Sequence, residues 1–146
     1  MSIELSKSVK CAIGEYLVLA ELLKRGREAF IAQGPTQDGW DIVVIDSPEE
    51  KKKIIRVQVK AIEWPTDNRR TITLSKALKF DYMVVVLLNL RQPHSRYLVA
   101  SHTEVNQFAS EENEKRKSNA RSWYIAKDFS PTDTVGRLEN QWGKIQ

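Results

Sequence analysis

Gly39-Trp40-Asp41-Ile42-Val43-Val44-Ile45-Asp46 and, after Ser47-Pro48-Glu49-Glu50-Lys51-Lys52-Lys53, Ile54-Ile55-Arg56-Val57-Gln58-Val59-Lys60-Ala61-Ile62 decide how this chain is read. Two apolar, β-branched runs flank a charged connection, the pattern of two strands joined as a hairpin. Side chains alternate along a strand. Arg56, Gln58 and Lys60 therefore share one face of the second run, and Ile55, Val57, Val59 and Ala61 share the other. Polar groups within apolar strands are costly unless they find partners, so Asp41, Arg56, Gln58 and Lys60 call for an explanation. In a hairpin, Asp41 near the start of the first strand approaches the far end of the second, where Gln58 and Lys60 sit. A carboxylate, an amide oxygen and an ammonium then converge. Arg56 is open to a phosphate contact or, equally, to an ion pair with Asp46 or Glu49. Gln37 and Asp38 lie in the loop before Asp41, as a groove border or a plain polar loop.

Upstream, residues Ser6 to Arg25 read as a helix, capped by Ser6 or Ser8 and stopped by Gly26. Val9, Ala12, Ile13, Tyr16, Leu17, Ala20 and Leu23 give an apolar face. Cys11, Val18, Leu19 and Leu22 widen it almost all round, which predicts packing on a sheet and cover on another side. Glu15 interrupts it. Its neighbours three and four residues away are Cys11, Ala12, Val18 and Leu19. Its carboxyl points into a partly enclosed region, or it lies on a narrow solvent stripe with Gly14 and Lys10; the helix alone leaves both readings open. Arg27 to Gln33 is a short edge strand, and the breakers Gly34 to Gly39 a loop.

Downstream, Thr71 to Leu74 is a short strand, and the continuous run Tyr82 to Asn89 a central strand buried on both faces. Arg96 to Ala100 is another strand. Thr103 to about Lys117 is a very polar helix, Ser122 to Ala126 a short strand, and Ser130 to Trp142 a final helical stretch. The order gives an α/β or α+β chain with a mixed sheet built around hairpins.

At 146 residues, 41% hydrophobic and 29% charged, the chain suits a single soluble domain with its own core. A net charge of +4 is compatible with a polyanionic partner without demanding one. The lone cysteine, Cys11, excludes an intrachain disulfide and a cysteine zinc site; among apolar neighbours it reads as a small core residue. No run approaches the roughly 20 apolar residues of a membrane span, and the polar N-terminus lacks a signal-peptide pattern, so a cytoplasmic location is the expectation. His94 and His102 lack metal-ligand spacing. Trp64, Trp123, Tyr124 and Trp142 read as core aromatics before base-stacking ones.

The residue types around the hairpin suit phosphodiester hydrolysis. A hard divalent cation such as Mg²⁺ takes oxygen ligands. Asp41 offers an anionic oxygen, Gln58 a neutral one, and Glu15 a second carboxylate. Two negative charges roughly match one dication. Lys60 can orient a water or stabilise charge on phosphate oxygens.

Asp41, sixteen intervening residues and Gln58-Val59-Lys60 resemble the signature of the PD-(D/E)XK nuclease superfamily. The helix Gly14-Glu15-Tyr16-Leu17-Val18-Leu19-Ala20-Glu21-Leu22-Leu23-Lys24-Arg25-Gly26 resembles the first helix of its Holliday-junction-resolvase-like and restriction-endonuclease-like branches. The resemblance covers Gly14 to Ile62. It implies an α/β, restriction-endonuclease-like fold, a central mixed β-sheet flanked by helices, with residues 1–146 as one domain. It also implies a metal-dependent endonuclease that hydrolyses DNA in repair, recombination or defence. Glu15, Asp41, Gln58 and Lys60 would be catalytic; Glu15, Asp41, Gln58 and the main-chain carbonyl of Val59 would hold Mg²⁺ or Mn²⁺. The sequence departs from the pattern twice. No proline precedes Asp41, and Gln58 stands where the signature has an acid, although some active members look similar with Gln-x-Lys. The alternative is an inactive nuclease-fold module for DNA binding or protein interaction. The implied partner is DNA; a homodimer and a protein subunit supplying specificity stay open.

Overall fold

The computed structural model describes residues 4–33, 39–47, 52–68, 70–75, 77–110 and 120–146. Helix α1 (Lys7–Lys24) is followed by β1 (Glu28–Ile31), β2 (Ile42–Asp46), β3 (Lys53–Glu63), β4 (Arg70–Leu74), β5 (Tyr82–Leu88) and β6 (Arg96–Ser101). Then come α2 (His102–Phe108) and β7 (Arg121–Ile125). The main sheet has the order β1-β2-β3-β5-β6, while β4 and β7 form a separate two-stranded ribbon. The β3–β5 pair is parallel and its neighbours are antiparallel, so the sheet is mixed.

The alternation in β3 sorts the two faces. Ile55, Val57 and Val59 join Ile42, Val44, Val84 and Val86 in a core under α1, closed by Val18 and Leu22. On the opposite face, Met83, Val85 and Leu87 pack with Ile72, Leu74, Trp123 and Ile125 of the ribbon and with Val105 of α2. Strand β5 therefore feeds both cores, which is why Tyr82 to Leu88 reads as a continuous apolar run. Trp64, Trp123 and Trp142 are buried core residues, while Tyr124 is exposed.

The ends of α1 follow from local chemistry. The Ser6 hydroxyl accepts from Val9 N at the N-terminus. Past the C-terminus, Gly26 adopts φ +76°, where a side chain would be strained. One side of the helix alone is buried. Gly14, Val18 and Leu22 face the sheet, while Val9, Tyr16 and Leu23 stay exposed, Tyr16 at 64%. The expected second cover is thus absent among the described residues, and Cys11 is exposed rather than in the core.

Two expectations near the C-terminus need correction. The stretch from Ser130 to Trp142 is not a helix: it holds turns and a short 3₁₀ segment, Gly136–Leu138, with another at Trp142–Lys144. Pro131 and Gly136 break the pattern, and the Gly136 position leaves no room for a side chain beside the Ser130 carbonyl. The helix that starts at His102 ends at Phe108; its expected extension over residues 111–117 lies outside the described residues. So do Gln37, Asp38, Glu49 and Lys51. None of the described helices is long and apolar enough to cross a membrane.

Candidate active site

The site is built where β2 begins beside β3. Asp41 lies just before β2, and its main chain is fixed from both sides: its carbonyl accepts from Ala32 N and its N–H donates to Val57 O, each at 2.8 Å. The ladder pairs Val57 with Ile42. Asp41 and Ile42 thus share one partner residue, the arrangement of a β-bulge. Strict alternation would put Asp41 on the face opposite Ile42. The bulge frees it to turn toward α1.

Its carboxylate does two things there. Oδ2 accepts a hydrogen bond from Val59 N at 2.8 Å, in place of the β2 backbone that has ended. The carboxyl also hydrogen-bonds to that of Glu15. In a strand the N–H and C=O of one residue leave on the same side, so the Val59 carbonyl faces the edge that Asp41 caps.

Glu15 arrives there because α1 sits unusually close to β3. A Cβ on Gly14 would lie 2.8 Å from Ala61 Cβ, 3.6 Å from Val59 Cγ1 and 3.7 Å from Val86 Cγ2. Only glycine allows that approach, and the next residue is Glu15. Lys10 on the same helix holds Glu63, the last residue of β3, at 2.7 Å. Of the two readings of Glu15, the enclosed one matches the structure: it is half-buried against Asp41.

Burial raises the Glu15 carboxyl from 4.5 to about 7, reinforced by the hydrogen bond to Asp41 and by its charge. Two carboxyls this close resist ionising together. A proton, or a cation, relieves the pair.

Gln58 and Lys60 flank Val59 on β3 and point to the face away from α1, both half-buried. Neither makes a side-chain hydrogen bond or ion pair among the described residues. The structure thus joins Glu15, Asp41 and the Val59 main chain directly. It leaves Gln58 and Lys60 as adjacent, uncommitted side chains on the same strand.

Among the described residues no group of three or more His, Cys, Asp and Glu side chains is placed to hold a metal. The acids here number two, and further ligands have to be amide or main-chain oxygens. That all-oxygen set fits Mg²⁺ or Mn²⁺, which are bound through one or two carboxylates, and does not fit zinc. His94 and His102 are exposed and stand apart from the acids in sequence and element.

Arg56 does not pair with Asp46, and Glu49 lies outside the described residues. Its Nε lies 3.5 Å from Asp81 Oδ2, and its guanidinium sits 5.4 Å from the centre of the Trp40 ring. Asp81 and the role of Trp40 are not legible from the hairpin alone. The signal is the placement of Asp81 immediately before the apolar run of β5, the parallel neighbour of β3. A cleft of about 360 Å³ lies toward the start of β3, lined by Lys53, Asp81, Tyr82, Ser101 and His102 among others. It includes none of Glu15, Asp41, Gln58 and Lys60, so concavity and chemistry point to different places. The acid pair is the firmer guide, because it has a structural cost that packing does not explain.

No family model matches the chain, and no curated protein matches it. Among solved structures it is similar to a bacterial homing endonuclease, I-Ssp6803I, with a TM-score of 0.60 at 16% sequence identity. The match covers 97% of this chain and 93% of that one. The chain therefore has an endonuclease-type α/β fold, with a central mixed sheet and flanking helices.

Proposed function

We propose that the chain is a metal-dependent DNA endonuclease of the PD-(D/E)XK type in its Gln-x-Lys form, with residues 1–146 as one nuclease-like domain. The observation that carries this reading is the meeting of the Glu15 and Asp41 carboxyls beside the Val59 main chain. The likeness in fold to a homing endonuclease supports it.

Glu15, Asp41, the Gln58 amide oxygen and the Val59 carbonyl would hold Mg²⁺ or Mn²⁺. When bound, the ion polarises a phosphodiester and makes water more acidic. The chain's own residues do the rest. Asp41, anchored by two main-chain hydrogen bonds and by the Val59 N–H on its carboxylate, sets the position of the charge. Glu15, which holds a proton in the metal-free pair, would release it when the cation binds. Lys60 keeps its ammonium free to meet phosphate oxygens and offset the charge that builds there. We place this activity in cytoplasmic DNA repair, recombination or defence, with a homodimer or a protein subunit as the source of specificity.

Gln58 favours a second reading. An amide is a weaker ligand than a carboxylate, and a chain that has it at this position suits a module that binds DNA or a protein without cutting.

Supercoiled, branched and single-stranded DNA, incubated with Mg²⁺, Mn²⁺ or EDTA, separate these readings. Metal-dependent nicking that disappears in Asp41→Ala and Lys60→Ala supports the enzyme. Nicking that survives both substitutions comes from a contaminant and removes its support. Binding without cleavage on every substrate moves the assignment to the module.

A further inference from the structure

We propose that Arg56 binds a backbone phosphate two along the same strand from the one offered to Lys60, extending the site along the DNA; this rests on the nuclease reading given above. Arg56, Gln58 and Lys60 occupy alternate positions of β3 and so share a face. Each two-residue step is roughly 6.6 Å, of the same order as the spacing of neighbouring phosphates on one nucleic-acid strand, so the two steps from Lys60 to Arg56 span about two such spacings.

The guanidinium is already oriented. Asp81 holds its Nε edge at 3.5 Å and Trp40 lies 5.4 Å from its face. Its terminal nitrogens make no hydrogen bond among the described residues, and the side chain is 42% exposed. Those nitrogens form the planar fork that meets two phosphate oxygens at once.

A purely structural role explains this less well. Main-chain links between the two residues are already present: Arg56 N donates to Asp81 Oδ2 at 2.8 Å, and Asp81 N donates to Arg56 O at 2.9 Å. They join β3 to the start of β5 without the guanidinium. An ion pair this exposed adds little stability. What it does add is a fixed direction for the cation.

The surrounding face leaves room for a nucleic-acid strand. The ribbon and α2 cover the β5–β6 half of the sheet, whereas the rungs Phe30–Val43–Arg56 and Glu28–Ile45–Ile54 have no covering layer among the described residues. Phe30 and Ile54 remain exposed there, at 52% and 65%.

The test is binding of a fluorescent DNA duplex to the whole chain in EDTA, followed by anisotropy over a salt series. Arg56→Gln is expected to weaken binding by about three- to tenfold and to lower the slope of log affinity against log salt by about 1. Arg56→Lys, which keeps the charge but not the fork, is expected to restore the slope while binding more weakly than the parent. Thermal melting of both variants establishes that they fold. Slopes and affinities equal to the parent's in both variants overturn the proposal while leaving the nuclease reading intact. A parent protein that binds no duplex also overturns the proposal, while the metal-dependent nicking assay decides the nuclease reading by itself.

Discussion

The carboxyls of Glu15 on α1 and Asp41 at the bulge before β2 share a hydrogen bond. Gly14 lets the helix approach β3, and the bulge turns Asp41 toward it. Each feature loosens a local rule of packing or alternation, and their joint result is two acids in one half-buried place. Folded proteins accept such costs chiefly where function requires them.

The acid pair makes stability depend on pH. Burial, with Asp41 adding to it, raises Glu15 from 4.5 to about 7. Between those values the folded chain keeps a proton that the unfolded chain has released, so stability falls as pH rises through that window. Glu15→Gln removes this dependence. Without divalent metal, the variant is expected to melt roughly a few degrees above the parent at pH 8 and close to it near pH 4. Melting curves at both pH values check this; a difference that is the same at each contradicts it.

Gly14 governs how closely Glu15 is brought to the strand. Gly14→Ala forces a methyl to within 2.8 Å of Ala61 Cβ, between a helix and a strand that have little freedom to part. Overpacking of this kind costs about 1–3 kcal/mol, more than the gain in helix propensity of about 1 kcal/mol. The expected result is a lower denaturation midpoint together with weaker metal binding. Pairing it with Ala61→Gly, which vacates the space, is expected to recover both.

Much of this was legible because the signals are local. Ser6 and Gly26 bracket α1, and the alternation from Ile54 to Ile62 fixes which residues of β3 share a face. The runs around Val43, Val57 and Val85 mark the strands at the sheet's centre. Helix α1 looked covered all round because Cys11, Tyr16 and Leu23 are apolar, yet apolar character does not supply a partner. The β4–β7 pairing joins residues such as Ile72 and Trp123 that are far apart in sequence, and no local pattern encodes it. The same holds for Arg56 and Asp81, which meet only because β3 and β5 run parallel. For the candidate site, residue types pointed to Glu15, Asp41, Gln58 and Lys60. The bulge that brings Asp41 to Glu15 lies outside the reach of strict alternation.

Gln58 is the residue at which the two functional readings diverge. Gln58→Glu restores an acid beside Val59 and gives a cation a third carboxylate. The enzyme reading expects Mg²⁺ to bind several-fold more tightly, with cleavage retained at the lower metal concentration. Calorimetry against Mg²⁺ with a nicking assay measures both. Unchanged metal affinity places the Gln58 side chain outside the coordination sphere.

The most direct measurement is titration of the purified chain with Mn²⁺ at pH 8, with free ion followed by electron paramagnetic resonance. One site per chain is expected, weakened at least tenfold in Asp41→Asn and in Glu15→Gln and little changed in Arg91→Gln, a substitution in the exposed turn between β5 and β6. No binding by the parent chain, or binding that both acid variants leave unchanged, contradicts the claim that Glu15 and Asp41 form a metal site.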